Sequence, residues 1–174
     1  NPKYNFCHTN EIWIRNGIRV NQKKKHKKYG GFIFEKCLDI CRISPSSVLF
    51  NKNILNHVGL FNDKLPVCED YDLWLRITAD FEILFIDEPL ITKYGGHDDQ
   101  LSRSIEAIEK FRIKALEGIL ENSNLSKYNR GRAVEMIIKK LNIYYNGLVK
   151  RKKHVDAKKV TEKIKFWNKN LFEY

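Results

Sequence analysis

The apolar residues of this 174-residue chain change their spacing once, near Ser102, and that change limits the folds open to it. Before it, Ile12, Ile14, Ile18 and Val20 occupy even positions on either side of Asn16-Gly17. Both turn residues tolerate positive φ, so the pattern predicts a β-hairpin. Ile83–Ile86 reads as a fully apolar strand and Leu90–Tyr94 as a second extended piece. After Ser102 the period is helical. Ile105, Ile108, Ala115, Leu116, Ile119 and Leu120 mark one helix. Ser126 caps a second carrying Ala133, Ile137, Leu141, Tyr145 and Leu148, and Val160, Ile164, Trp167 and Leu171 mark a third. These patterns predict a mixed α/β fold, a sheet with helices over residues 1–103 followed by a basic α-helical hairpin or bundle over 104–174.

Between the strands lie the segments that carry chemistry. Phe32–Cys41 is expected to form a short helix, and Ile43–Phe50 to turn into a strand with Pro45 at its start. Ser46 and Ser47 are either turn formers or the wall of a diphosphate site. Lys52–His57 predicts a helical turn closed by Gly59. Lys23–Lys28, with five lysines and His26, is self-repelling and is expected at the surface, as a solvated connector or as a loop that touches phosphate or an anionic acceptor. His8-Thr9-Asn10-Glu11 either faces a cleft or caps a strand. Pro66-Val67-Cys68 then introduces Glu69, Asp70 and Asp72 ahead of Leu73, Trp74 and Ile77. Carboxylates at a helix start meet the positive end of the dipole, and a packed Trp makes that start rigid. The run is an acidic cap or a platform for a general base.

Charge narrows the partners. The net charge is +11, but residues 1–100 carry 14 basic against 13 acidic side chains and residues 101–174 carry 18 against 8. A basic tail on a near-neutral domain fits an anionic membrane surface or partner as well as it fits nucleic acid. No apolar run approaches the roughly 20 residues that span a bilayer. Cys7, Cys37, Cys41 and Cys68 have no CxxC spacing, which argues against structural zinc and for reduced thiols in a cytoplasmic protein, peripheral at most to the inner face of the plasma membrane. The opening Asn1-Pro2-Lys3, with no Met and no apolar leader, reads as a trimmed piece of something longer.

Taken in order, Ile43-Ser44-Pro45-Ser46-Ser47-Val48-Leu49-Phe50, Val58-Gly59-Leu60-Phe61-Asn62-Asp63, Cys68-Glu69-Asp70-Tyr71-Asp72-Leu73-Trp74-Leu75-Arg76 and His97 to Ser102 resemble the C-terminal, acceptor-side half of glycosyltransferase family 2 enzymes with the GT-A fold. The resemblance covers about residues 5–103. It implies a partial GT-A sheet and inverting transfer of a sugar from a nucleotide-diphosphate donor to a hydroxyl acceptor, in bacterial surface polysaccharide or glycoconjugate synthesis. It also implies Asp70 as general base, Glu69 as the residue that orients or contacts the acceptor, and His97 as a ligand of Mn²⁺ or Mg²⁺ or a contact to the diphosphate. Ser46, Ser47, Arg76 and Ser102 would contact substrate, with Arg76 paired to Asp72 at i, i+4. The family's nucleotide-binding half and its metal-chelating Asp-x-Asp motif would precede residue 1. Asp70-Tyr71-Asp72 matches that motif literally but falls on an expected acceptor-side helix. Such a chain is expected to turn over poorly without the other half.

A second reading is a non-catalytic binding module whose basic helices, including Lys150-Arg151-Lys152-Lys153, contact nucleic acid, membrane or a protein partner. The helices would alternatively complete a homodimer interface.

Overall fold

The computed structural model describes residues 3–96, 108–122 and 124–171. Strand β1 (Phe6–Arg15) is the centre of a mixed sheet. Its C-terminal half pairs antiparallel with β2 (Ile18–Val20), and its N-terminal half pairs antiparallel with β3 (Val48–Phe50) on the same side. On its other side β4 (Leu84–Gly95) runs parallel to it over nearly its whole length. The expected hairpin is present, with Arg15 opposite Ile18 and positive φ at Asn16 (50°) and Gly17 (78°).

Residues 83–94 were expected to form two extended pieces, and they differ in one respect: a single strand runs through Pro89. Register shifts between Thr9 and Asn10 and between Asn10 and Glu11 let β1 follow β4 past the proline, which has no N–H to give to the ladder. Only Ile83 of the apolar run is buried.

Six α-helices lie among the described residues. The short α1 (Phe34–Cys37) and α2 (Ile54–Val58) flank the main helix α3 (Glu69–Asp80). The segment expected as a helix over Phe32–Cys41 forms only the short α1, with Leu38 as its C-cap. Gly59 closes α2 at φ 83°, as its position predicts. Then come α4 (Ile108–Ile119), α5 (Lys127–Lys150) and α6 (His154–Asn170). The Ser126 side chain caps α5 by accepting the Asn129 N–H at 3.1 Å. Lys140 of α5 reaches Glu109 early in α4, whereas Arg130 reaches the carbonyl of Leu120 past its end, so these helices are antiparallel. One connected apolar core runs from Phe6, Leu38, Leu73 and Trp74 through Leu116 to Ile137, Leu141 and Val160.

The lysine-rich segment corrects its expectation. Lys24–His26 forms a 3₁₀ turn, and Lys28 is buried, its ammonium 3.0 Å from Glu11 Oε2 with both side chains 2% exposed. Lys28 also donates to the Thr9 carbonyl (2.9 Å) and Ser47 Oγ (3.3 Å), while Trp13 Nε1 donates to Glu11 Oε1 (2.7 Å). The self-repulsion of the run is relieved because its last lysine leaves water for a carboxylate already held in β1. His8, beside this pair, is fully buried in β1.

Removing one member of such a pair strands a charge in the interior. Lys28→Met is expected to cost about 3–5 kcal/mol, and adding Glu11→Gln to restore part of it, since the amide keeps an acceptor for Trp13 and carries no charge. A denaturant double-mutant cycle measures both.

Candidate functional site

The start of α3 is built from a backbone strain and three buried anchors. Cys68 precedes the helix in the left-handed region, φ 66°, where a residue with a Cβ is disfavoured. No side chain caps the helix there, and Glu69, Asp70 and Asp72 fill its first turn. Behind them, Tyr71 hydroxyl donates to the Leu38 carbonyl at 2.5 Å and Trp74 Nε1 to the Ile43 carbonyl at 3.0 Å, both residues being buried. Phe6 of β1 meets Trp74 edge-on at 5.3 Å. The helix start is thus fastened to residues 38–43 and, through Phe6, to the central strand.

The two candidate carboxylates differ. Asp70 is held at both oxygens: Oδ1 accepts the Tyr71 N–H at 2.6 Å and Oδ2 accepts the Cys41 thiol at 3.2 Å. Burial, followed by the adjacent Asp70 charge, pushes the Cys41 thiol well above its ordinary range, so it stays protonated and remains a donor. Burial likewise pushes Cys68 up to about 11. Glu69 is half-buried and makes no hydrogen bond or ion pair with the described residues. One carboxylate is oriented by the protein and its neighbour is free to meet a ligand, which is an arrangement able to accept a proton from a hydroxyl.

Asp72 and Arg76 form the expected i, i+4 pair, at 2.7 Å. Arg76 also donates to the carbonyls of Val58 and Leu60, the latter at 2.9 Å, so its guanidinium ties the loop after α2 to α3. Ser46 is exposed, whereas Ser47 is buried, donating to the Ser44 carbonyl at 2.8 Å and accepting from Lys28. The turn at residues 44–47 therefore sits between two polar clusters: Cys41 and Ile43 lead to Asp70 and Trp74, and Ser47 leads to Lys28 and Glu11. His97 and Ser102 lie outside the described residues. Among the described residues no three His, Cys, Asp or Glu side chains converge on a metal site.

Glu11, Lys28 and His8 escaped recognition as one cluster. The available signal was Glu11 itself, a carboxylate followed by Ile12-Trp13-Ile14 in a strand, which needs a cation if it is to be buried. Beside this cluster the hairpin bounds a cleft of about 300 Å³ in which Trp13, Arg15, Lys23, Lys25 and His26 combine an aromatic face with positive charge.

Two curated proteins share a segment with this chain. An uncharacterized glycosyltransferase of Rickettsia felis is 37% identical over 63 residues, and one of Rickettsia conorii is 39% identical over 63 residues. The shared segment spans 36% of this chain and 10% of each relative. These matches relate the chain to glycosyltransferases. No protein-family model matches it, and no solved structure does.

The buried His8 yields a pH test. Its Nε2 lies 2.9 Å from the Tyr29 carbonyl, which only accepts, so the neutral ring carries its proton on Nε2, and Nδ1 has no partner. Burial, aided by the Lys28 charge and opposed by the Tyr29 carbonyl, lowers its pKa from 6.5 to about 4. Between those values the unfolded chain binds a proton that the folded chain refuses. Stability from this residue is full above pH 6.5 and falls by roughly 3 kcal/mol as pH drops toward 4. His8→Gln is expected to flatten that part of the stability profile, measured from urea midpoints across the window.

Proposed function

We propose that the chain is the acceptor-side part of an inverting glycosyltransferase of family 2 with the GT-A fold, transferring a sugar from a nucleotide-diphosphate sugar to a hydroxyl acceptor. The observation that carries this reading is the pair at the start of α3, Asp70 held and Glu69 unpaired among the described residues, in a chain related to glycosyltransferases. In the reaction the acceptor oxygen forms its bond to the anomeric carbon as the bond to the diphosphate oxygen breaks on the opposite face, so the configuration inverts. The acceptor proton goes to Asp70, and the electron pair of the broken bond leaves with the nucleoside diphosphate.

The fixed placement of Asp70 supports its role as base, because proton transfer in the transition state requires the acceptor hydroxyl and the carboxylate to meet within hydrogen-bond reach. Glu69 orients the acceptor. The exposed Ser46 hydroxyl is available to substrate, while Ser47 and Arg76 act by holding the neighbouring turn and loop in place. A divalent ion and His97 belong to this reading through the donor's diphosphate, as does Ser102, and no step above depends on them. Synthesis of a cell-surface glycoconjugate is the biological setting that this chemistry fits.

The test joins this chain to a family 2 nucleotide-binding half in one polypeptide and follows nucleoside diphosphate release from a panel of nucleotide-sugars with Mn²⁺ present. Asp70→Asn is expected to lower transfer about 10²- to 10⁴-fold with an unchanged denaturation midpoint. Wild-type rates in that variant would remove Asp70 from the mechanism.

A further inference from the structure

Helices α4, α5 and α6 enclose a cleft of about 340 Å³, lined by none of the residues at the start of α3. Its floor is aliphatic: Ile113, Leu141 and Val160 come from the three helices in turn, and all are buried. Its rim is cationic, with Lys110 and Lys114 on α4 and Lys159 on α6, all exposed. A slot of this size is within the range of ligand sites, and its two-part lining matches a molecule with a hydrocarbon chain and an anionic head.

The surrounding charges leave that rim available. Lys163 is taken by Glu117 at 2.9 and 3.1 Å, and Glu117 also accepts the Trp167 indole N–H at 3.3 Å. Lys110, Lys114 and Lys159 have no carboxylate partner among the described residues, and Lys114 reaches only the Lys64 carbonyl, at 3.4 Å. Asp156 is the other carboxylate on the lining, so four lysines face two acidic side chains.

The outer side of α6 says what the head group is attached to. Val155 and Phe166 are 73% and 59% exposed and fall at i−4 and i+7 from Lys159, on the same side of the helix. Large apolar side chains set among lysines are the composition of a helix that lies in a membrane interface. No helix among the described residues is long and apolar enough to cross a membrane, so the contact is one made from the surface.

The geometry points to an anionic phospholipid as the occupant, its phosphate among Lys110, Lys114 and Lys159, the first methylenes of one acyl chain on the aliphatic floor, and Val155 and Phe166 pressed into the bilayer interface. A free alkyl phosphate presents the same chemistry, so the experiment separates the two. The chain is sedimented with phosphatidylcholine vesicles with and without phosphatidic acid, and in parallel titrated with octyl phosphate and with inorganic phosphate by methyl NMR. Binding to the acidic vesicles alone is expected, with octyl phosphate shifting the methyl signals of Ile113, Leu141 and Val160 and inorganic phosphate leaving them in place. Lys114→Glu with Lys159→Glu is expected to weaken vesicle binding by about tenfold or more, with circular dichroism unchanged. Vesicle binding undiminished in that folded variant would overturn the proposal as a generic effect of basic charge. Octyl phosphate binding without vesicle binding would replace the membrane lipid with a soluble amphiphile. Preferential capture of a labelled RNA with a steep salt slope would assign the lysines to phosphate backbones instead.

Discussion

Lys28 enters the interior with its charge, and three otherwise separate pieces of chain must come together to accommodate it. Burial lowers its pKa, and the Glu11 carboxylate opposes that by hydrogen bond and charge. For Glu11, burial works to raise the pKa and the hydrogen bonds from Trp13 and Lys28 outweigh it. Neither group is tolerable there without the other. Their pairing brings the 3₁₀ turn, the middle of β1 and the Ser44–Ser47 turn to one point. Such an ion pair adds little net stability over a well-packed apolar pair, but it penalises any arrangement that separates its members.

The candidate site inherits its rigidity from the same turn. Residues 41–43 supply the thiol that holds Asp70 and the carbonyl that holds Trp74, and Ser44 and Ser47 continue directly into the buried cluster. Asp72 and Arg76 complete the frame from the other side by clamping the loop after α2. The carboxylates proposed to act on a hydroxyl are therefore mounted on a helix whose start is braced from two directions, while Glu69 has no hydrogen bond or ion pair among the described residues.

What was legible in the sequence was set by neighbours along the chain. Asn16-Gly17 specifies its turn by its own backbone preferences, Gly59 and Ser126 end and begin helices by local chemistry, and the carboxylates of α3 announce a helix start. What was not legible depends on partners far away in sequence. The burial of Lys28 requires Glu11, and the orientation of Asp70 requires Cys41, 29 positions earlier. The continuity of β4 across Pro89 goes with extra residues in β4 on either side of the Asn10–Pro89 pair, an irregularity visible only against β1. The role of Glu69 and Asp70 was suggested by the order of motifs, and geometry adds that Asp70 is oriented while Glu69 has no partner among the described residues.

That shift in register also governs how the sheet meets other molecules. β4 pairs with β1 on one side, and no strand covers its other side among the described residues. An open edge invites a stray strand from another copy, the first step toward intermolecular aggregation. Pro89 sits within that edge and the irregular ladder bends it, so the exposed run is divided into two short stretches. The irregular ladder around Pro89 thus keeps that edge from running as one flat template for a neighbouring strand.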